Sequence, residues 1–507
     1  MNEFFKIRVG SIGAGQNLAA FLARTGYPIH ADCGGKGKCG KCRVKLCAGA
    51  LFENPECTRM AKPDAEGWYY ACRVYGGHGA LVLLPKLEGD GLTDFAGQHK
   101  QKTDEDAALG IALDIGTTTL AAALVDLKTG SILSTTSALN PQSAYGADVI
   151  SRIDAIMRQP EALEQMQNLL LSRVREMVQT LQGNSTAEHM VVAGNPTMLH
   201  IFCGISPASM GTYPFTPAFT HAKQLSGADL QLPVGRITLL PSISAFVGGD
   251  VTAGMLQCNL TGSKEPVLLI DVGTNGESLL FTGTAHGSHF YAASAAAGPA
   301  MEGAGISTGM GGVNGAVCAV RIQNSLPICS TVGNAPAQGI CGSGLIDLTA
   351  ALYTNGIIDA TGAFEHGDRF VYATTKDGAP LTLTQADVRA LQLAKSAIRA
   401  SIDALCAHAG ILPEQLACVY LAGGLGYYMH IDSAVAIGLL PAALQGHTVS
   451  VGNTSLGGCV RVLHDPSLLE TAKEQAQRCQ TLELNTNTVW NQSFMENMMF
   501  PEEDDEI

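Results

Sequence analysis

The sequence lacks a long apolar run. Hydrophobic residues make up 46% of its 507 positions, yet they come in short bursts such as Ile111 to Leu113 and Val267 to Ile270. A membrane span needs roughly 18 or more consecutive apolar residues. The N-terminus, MNEFFKIRV, also lacks the basic region, apolar stretch and small-residue cleavage site of a secretion signal. We therefore expect a cytoplasmic protein with no membrane segment.

Charge is scarce as well. Charged residues make up 15% of the chain, the net charge is −14 at pH 7, and no basic stripe is visible. A nucleic-acid-binding protein needs basic residues to neutralise phosphates, so nucleic acid is not an expected partner. The chain instead carries 58 glycines, and its length exceeds the roughly 100–200 residues of one domain. This composition favours a globular α/β protein of several domains.

Cysteines are unevenly distributed along the chain. Six of the 15 fall between Cys33 and Cys72, and in a reducing compartment such uneven spacing favours metal ligands and buried thiols over disulfides. The loop DCGGKGKCGKCRV supplies Cys33, Cys39 and Cys42, and Cys72 follows after 29 residues. Three thiolates from one tight loop and one distant cysteine outline a plant-type iron-sulfur arrangement, with a first gap one residue longer. Tetrahedral zinc and buried thiols are the competing interpretations.

A second pattern occurs twice from residue 108 onward. The copies read GIALDIGTTTLAAALVDLKTGSILSTTSALN and PVLLIDVGTNGESLLFTGTAHGSHFYAASAAAG. Each has an apolar strand ending in Asp-x-Gly-Thr, a turn, a second strand, a Gly-containing turn and a third strand. Asp114 and Asp271 lie 157 positions apart. A duplication of this kind predicts two related subdomains that face each other across a ligand cleft.

The chain has no Gly-x4-Gly-Lys-Ser/Thr loop, so it is not a P-loop enzyme. An aspartate at a strand end followed by Gly-Thr offers a carboxylate for Mg²⁺, with N–H and hydroxyl donors for phosphate oxygens. Each copy supplies such a set, and a Gly-rich turn in VYLAGGLGYYM lets the backbone lie against the adenosine end of a nucleotide. The candidate nucleotide-site residues are Asp114, Gly116, Thr117, Thr118, Asp271, Gly273, Thr274, Asn275, Gly423, Gly424 and Gly426.

These patterns resemble two known families. The three turns, in this order, resemble the phosphate-1, phosphate-2 and adenosine motifs of the superfamily of actin, sugar kinases and heat-shock ATPases. Residues 30–75, with CGGKGKCGKCRV, resemble the 2Fe-2S domain of the reductive activators of corrinoid proteins. The implied fold is a multidomain α/β protein, in which a β-grasp ferredoxin-like domain precedes duplicated ribonuclease-H-like ATPase subdomains. The implied cluster ligands are Cys33, Cys39, Cys42 and Cys72.

We infer the domain organisation from changes of composition along the chain and from this resemblance. Residues 89–107 mix Gly with charge, as linkers do, so we expect the first domain to be tethered and not packed. Little sequence precedes KIRVGSIGAGQNL, so its first strand is expected to be shortened or absent. The predicted segments are a 2Fe-2S domain at 1–88, the linker at 89–107, ATPase subdomains at 108–265 and 266–460, and a C-terminal segment with an acidic tail at 461–507.

The resemblance implies a redox activator that hydrolyses ATP. The 2Fe-2S cluster would pass one electron to a corrinoid protein and return its cobalt from Co(II) to Co(I), while Asp114 and Asp271 act on ATP with Mg²⁺. The implied partners are the corrinoid protein, an unidentified reductase as electron donor and a second copy of the chain in a homodimer. One alternative is an activator of a radical dehydratase or reductase, with a 4Fe-4S cluster shared between subunits. A small-molecule kinase and a nucleotide-sensing module without turnover are the others.

Other residues receive expectations of their own. We expect Glu302 and Asp347 in capping or surface roles, His200 in the core, and Cys341 as a small buried residue. A shared 4Fe-4S cluster would draw its ligands from Cys318, Cys329 and Cys341. A kinase needs a catalytic base near the γ-phosphate, and no residue can be identified as that base from the sequence.

Overall fold

The computed structural model describes residues 4–9, 17–24, 42–64, 67–76, 80–85, 108–323, 326–423 and 429–502. The predicted linker at 89–107 and the tail beyond residue 502 lie outside these ranges. Within them, no helix is long and apolar enough to cross a membrane.

The N-terminal domain is a small sheet with one helix packed on it. Its elements are β1 (Phe4–Arg8), α1 (Leu18–Arg24), β2 (Arg43–Ala48), β3 (Leu51–Phe52), β4 (Tyr69–Tyr70), β5 (Tyr75–Gly76) and β6 (Leu81–Pro85). The strand order is β1-β6-β2-β4, with β3 and β5 paired separately. The first strand is present, since β1 pairs antiparallel with β6 at the sheet edge. Helix α1 buries Leu18, Phe21 and Leu22, spaced by three and four residues, against Val44 and Val82.

The next part of the chain, here the first lobe, is built on a six-stranded sheet. Its elements are β7 (Leu109–Ile115), β8 (Thr119–Asp126), β9 (Ile132–Leu139), α2 (Val149–Arg158), α3 (Glu161–Gln182), β10 (Ala187–Gly194), α4 (Pro196–Phe202), β11 (Lys223–Ser226), β12 (Val234–Leu239) and α5 (Gly249–Gln257). The strand order is β11-β12-β10-β7-β8-β9. Strand β7 is central and almost wholly apolar, so it is buried on both faces. The helical spacing of Leu and Met between Pro160 and Leu181 predicts a helix, and the structure has α3 there.

The remaining chain forms the second lobe around another six-stranded sheet. Its elements are β13 (Val267–Val272), β14 (Gly276–Phe281), β15 (Phe290–Ala295), β16 (Ala316–Gln323), β17 (Leu326–Thr331), β18 (Gly339–Ile340), α6 (Gly342–Thr354), β19 (Arg369–Thr374), β20 (Pro380–Thr384), α7 (Gln385–Ala409), β21 (Cys418–Ala422), α8 (Ile431–Ala436), β22 (Thr448–Gly452), α9 (Thr454–His464), α10 (Leu468–Arg478), β23 (Cys479–Thr481) and α11 (Thr488–Glu496). The strand order is β22-β21-β13-β14-β15-β23.

The two large sheets repeat the same topology, as the duplicated sequence pattern predicts. Strands β7, β8 and β9 pair antiparallel in succession, and so do β13, β14 and β15. On the other side of each central strand two parallel neighbours follow, β10 and β12 in the first lobe and β21 and β22 in the second. Five strands of each sheet therefore correspond in order and direction.

Two helices cross between the lobes. Helix α5 packs on the second sheet through Val251 and Met255, and its Ala253 and Leu256 join the core of the first lobe. Helix α9 follows strand β22 of the second sheet but packs against β7, β8 and β10 of the first. Because α5 and α9 also contact each other, the lobes share one helical layer.

The N-terminal domain is packed, and the expectation of a merely tethered domain is wrong for this arrangement. Helix α1 contacts a short 3-10 turn of the first lobe, Pro141–Tyr145, and also α3. Ala144 of that turn packs against the hydrophobic cluster of the N-terminal domain. The linker composition predicts a flexible connection, but it carries no information about the surface on which the domain rests.

The C-terminal segment is fastened along α7. The helical spacing of apolar residues from Leu391 to Ala409 predicts the C-terminal part of α7. A capping box between Thr384 and Asp387 starts the helix earlier, at Gln385. Its side chains Gln392 and Lys395 donate to the carbonyls of Met498 and Met499. Phe500, only 2% exposed, completes the core of the second lobe.

We expect Phe500→Ala to lower the free energy of unfolding of the second lobe by about 3–5 kcal/mol, because a large buried ring is replaced by a cavity. Calorimetry of the purified chain measures the change. The matched control is Met495→Ala, whose side chain is 70% exposed and whose loss costs about 0.5 kcal/mol or less. Equal effects of the two substitutions would contradict a fastened C-terminal segment.

Candidate functional site

Three aspartates converge where the lobes meet. Asp114 lies near the end of β7, Asp271 near the end of β13, and Asp250 in the first turn of α5. Burial raises the pKa of Asp271 to about 8, and the charges of Asp250, Asp114 and Glu302 add to this effect. Burial likewise raises the pKa of Asp250 to about 7, with the Asp114 charge contributing. The carboxylates are therefore close enough to oppose one another's ionisation.

Such a cluster favours a divalent cation. Among the described residues no three His, Cys, Asp or Glu side chains are placed to coordinate one ion directly. Mg²⁺ keeps several water ligands and takes one or two carboxylates. Glu302 adds a fourth carboxylate beside Gly273, and its Oε2 is buried with no hydrogen-bond partner among the described residues. An orphaned buried oxygen at this place fits a site that a hydrated cation completes.

Asp114 is oriented by the crossing helix α9. Asn453 Nδ2 donates to one carboxylate oxygen at 2.8 Å and Ser455 Oγ to the other at 2.7 Å. These two bonds oppose the burial that raises the pKa of Asp114. Asp271 receives no such bond from the described residues. The two aspartates thus differ. Two hydrogen bonds hold the Asp114 carboxylate in place, whereas the negative charge of Asp271 needs a bound ligand to offset it.

The two Gly-Thr turns face each other at their tips. Gly116 N–H donates to Thr119 O in the first turn, and Gly273 N–H to Asn275 O in the second, each at 3.0 Å. Thr118 Oγ1 and Thr274 Oγ1 lie 3.4 Å apart. The structure therefore brings together the predicted residues of both turns, which present hydroxyls and backbone N–H groups from opposite sides.

A glycine beside each central strand permits this approach. A Cβ at Gly423 would lie 2.5 Å from Val272 O and 2.9 Å from Asp271 Oδ1, and the φ of Gly423 is +96°. In the first lobe, a Cβ at Gly194 would lie 2.8 Å from Ile115 O. Gly423 of the predicted adenosine turn thus borders Asp271, whereas its companions Gly424 and Gly426 lie outside the described residues.

Arg152 is a buried cation beside the first turn. It is fully buried in α2, and burial lowers its pKa to about 9, so it stays charged at neutral pH. Its guanidinium donates to Thr117 O at 2.5 Å, Gly146 O at 3.1 Å and Gln142 Oε1 at 3.1 Å. A positive charge held behind the phosphate turn complements an anionic ligand.

The N-terminal cysteines form the second part of the site. Cys42 Sγ and Cys72 Sγ lie 3.2 Å apart and both are buried, whereas Cys33 and Cys39 lie outside the described residues. Two sulfur ligands of one tetrahedral metal, with bonds of about 2.3 Å, lie about 3.7 Å apart. The Cys72 thiol and burial raise the pKa of Cys42, so two adjacent thiolates require a metal between them. The pair fits a shared iron.

Several site residues were missed from the sequence. Asp250, Asn195, Asn453, Ser455 and Arg152 belong to no motif singled out there. The asparagines leave a signal in hindsight, since AGNPTM and VGNTSL each cap a helix, at Met198 N and Leu456 N. Their side-chain amides then reach Thr117 Oγ1 and Asp114.

Four individual expectations can be compared with the structure. The capping or surface role expected for Glu302 and Asp347 is wrong, because Glu302 joins the carboxylate cluster and Asp347 is buried in α6, where it pairs with His430 at 2.6 Å. His200 is confirmed as a core residue bonded to Pro196 O, and Cys341 as a buried residue bonded to Val317 O.

We expect Mg²⁺ to stabilise the protein more at pH 8 than at pH 6. The pKa of Asp271 rises from 3.8 to about 8, so over that range the folded state keeps a proton that the unfolded state has released, and stability falls as pH rises. A cation that replaces the proton removes this loss. Thermal unfolding in EDTA and in MgCl₂ at the two pH values measures the effect, and Asp271→Asn is expected to abolish most of its pH dependence. A Mg²⁺-induced shift of equal size at both pH values would contradict this.

Comparisons with known proteins cover all three parts of the chain. Residues 11–75 match the 2Fe-2S iron-sulfur cluster binding domain, residues 109–263 the RACo middle region, and residues 265–507 the C-terminal domain of RACo, the ASKHA domain. The fold is thus a ferredoxin-like 2Fe-2S domain followed by an actin/hexokinase-type ATPase. The chain accordingly carries determinants for a 2Fe-2S cluster and for ATP.

Individual relatives agree with these matches. The corrinoid activation enzyme RamQ of Eubacterium limosum is 33% identical over 476 residues, which is 86% of this chain and 77% of the relative. The [Co(II) methylated amine-specific corrinoid protein] reductase of Methanosarcina barkeri is 27% identical over 412 residues, 73% and 72% of the two chains. A solved reductive activator for corrinoid, iron-sulfur protein superposes with a TM-score of 0.73 at 28% identity, over 97% of both chains. The chain therefore belongs to the family of reductive activators of corrinoid proteins.

Proposed function

We propose that this protein reduces the Co(II) centre of a corrinoid protein to Co(I) at the expense of ATP hydrolysis. The N-terminal cysteines would hold the 2Fe-2S cluster that supplies the one electron cobalt gains, while ATP and water give ADP and phosphate. The observation that carries the proposal is the presence, in one chain, of the close Cys42–Cys72 sulfur pair and of the facing Gly-Thr turns over a carboxylate cluster. The corrinoid activation enzyme and the Co(II) corrinoid protein reductase to which the chain is similar indicate a corrinoid protein as the acceptor.

In this proposal the ATPase residues divide the work. Asp114 and Asp271 hold hydrated Mg²⁺, and the turns at Gly116–Thr118 and Gly273–Asn275 bind the phosphates, while Gly423, Gly424 and Gly426 are proposed to bind the adenosine end. Asp250 is suited to accept the proton of the attacking water, because its raised pKa of about 7 lies near the operating pH. The base that the sequence did not reveal is thus available, at the start of α5.

The cysteines hold the electron carrier. When bound, the 2Fe-2S cluster accepts one electron and releases it again. Cys42 and Cys72 would share one iron, and Cys33 and Cys39 are proposed for the other. Plant-type clusters have potentials near about −400 mV, and each further 59 mV or so of uphill one-electron transfer disfavours the product about tenfold. ATP hydrolysis opposes that penalty by changing the complex in which transfer occurs.

The partners follow from the same reasoning. A corrinoid protein of a methyl-transfer system is the proposed acceptor, a separate reductase the proposed donor, and a homodimer the proposed assembly, in the cytoplasm. A shared 4Fe-4S cluster is disfavoured, because Cys318 and Cys341 are buried and their sulfurs point at carbonyls within their own chain.

The first experiment counts metal and electrons. We expect anaerobically purified protein to hold two irons per chain and no zinc, and to give a rhombic electron paramagnetic resonance signal after reduction. When the reduced sample is mixed with a corrinoid protein in the Co(II) state, the Co(II) signal of that protein should disappear only when ATP and Mg²⁺ are present. Zinc without iron, or cobalt reduction at the same rate without ATP, would refute the proposed function.

We expect Asp271→Asn to lower ATP turnover by about 100-fold or more, because the site loses a charge that holds the cation. The iron content and visible spectrum should stay unchanged, since the cysteines lie in another domain. Asp377→Asn, a matched change in the exposed turn between β19 and β20, is the control and should leave turnover unchanged. Loss of iron from the Asp271→Asn variant would argue against this division of labour.

A further inference from the structure

The 3-10 turn Pro141–Tyr145 lies between the two functional parts of the chain. On one side it contacts α1 of the N-terminal domain, with Ala144 inside that domain's hydrophobic cluster. On the other side it borders a small pocket together with the phosphate turn. The pocket is lined by Thr117, Thr118, Asn140, Ser143, Arg152 and, from the second lobe, Ala304.

Asn140 fastens this turn to the phosphate-binding residues. Its backbone N–H donates to Thr118 O and its side-chain amide to Gly116 O, both at 2.8 Å. Its Oδ1 accepts from Gln142 N–H at 3.0 Å and so caps the 3-10 turn. One buried residue therefore joins both ends of the phosphate turn to the element that follows, through its backbone N–H at Thr118 and its side-chain amide at Gly116.

Arg152 makes the same connection from behind. Its guanidinium donates to oxygens of Thr117 in the phosphate turn, of Gln142 inside the 3-10 turn and of Gly146 at its end. Because the guanidinium is planar and rigid, a displacement of Thr117 and a displacement of the 3-10 turn cannot occur independently. Packed elements of this kind shift together.

The opposite face of the turn leads directly to a cluster ligand. Asn17 Nδ2 donates to Cys72 O at 3.1 Å, and Leu18 N–H donates to Val74 O at 2.8 Å. The first turn of α1 is thus bonded to the segment that carries Cys72, while α1 rests on Pro141–Tyr145. One helix and one short turn separate the cysteine pair from the phosphate site.

We propose that the Pro141–Tyr145 turn couples phosphate occupancy at Gly116–Thr118 to docking of the N-terminal domain, with Asn140 and Arg152 as positioning residues. The inference rests on the proposed function, because it requires nucleotide at that site. Binding of phosphate shifts Gly116–Thr118, the two clamps carry the shift into the 3-10 turn, and the surface under α1 changes. Coupling is reciprocal, so release of the domain changes nucleotide affinity by the same factor.

The test uses the full chain and a non-hydrolysable ATP analogue with Mg²⁺. Hydrogen exchange of the amides in 17–24 reports docking, and calorimetry reports the analogue's dissociation constant. We expect the analogue to change exchange in α1 of the wild-type chain. Ala144→Glu places a charge under α1 and should raise its exchange to one level with or without analogue, and should alter the dissociation constant by about fivefold or more. The matched control, Ala285→Glu in an exposed 3-10 turn of the second lobe, should change neither.

A double-mutant cycle separates coupling from local damage. Arg152→Lys keeps the charge but cannot bridge all three acceptors, so in that background Ala144→Glu should change analogue affinity by less than about twofold. An equal effect of Ala144→Glu in both backgrounds, or unchanged α1 exchange in a wild-type chain that binds the analogue, would overturn the coupling alone. A wild-type chain that binds no analogue would overturn the proposed function together with it.

Discussion

Repulsion among the carboxylates between the lobes is the constraint on which the rest of the structure depends. Asp114, Asp250 and Asp271 come from three elements; the charge of Asp114 raises the pKa of Asp250, and both charges raise the pKa of Asp271. Like charges this close cannot all ionise unless a cation joins them. The same arrangement places Thr118 Oγ1 and Thr274 Oγ1 3.4 Å apart, so the carboxylates and the two Gly-Thr turns form one site between the lobes.

Two crossing helices connect the lobes, so a change at the carboxylates can alter how the lobes pack on each other. Strand β22 ends in the second sheet at Gly452, whose φ is +65°, and the next residue, Asn453, already bonds to Asp114 of the first lobe. Helix α9 then packs on the first sheet and against α5, which crosses in the opposite direction. The lobes are therefore joined by two packed helices whose ends carry Asn453 and Asp250. Any change at the carboxylates acts directly on the crossing points.

A feature of this structure can be predicted from the sequence when the residues that form it are contiguous in the chain. The duplicated strand-turn-strand pattern and the Asp-x-Gly-Thr turns are written in contiguous residues, so the sequence predicts both sheets and most of the nucleotide site. Asn453 and Ser455 act on a residue more than 300 positions away, and no local pattern encodes that pairing. The position of Glu302 in the cluster is unpredictable for the same reason, since its neighbour Gly273 lies in a separate turn, just after β13. The docking of α1 on Ala144 needs two surfaces that composition does not describe.

A tethered domain needs only a weak docking surface, and the one seen here is small. The 19 residues at 89–107 join the N-terminal domain covalently to the first lobe, which keeps the domain at a high effective concentration near the turn. At that concentration a single helix resting on a single 3-10 turn suffices for partial docking. Under the proposed coupling, a fivefold change in a docking equilibrium near one would move the docked fraction from one half to about one-sixth. A small shift of Gly116–Thr118 would then decide whether the domain is held or free to move.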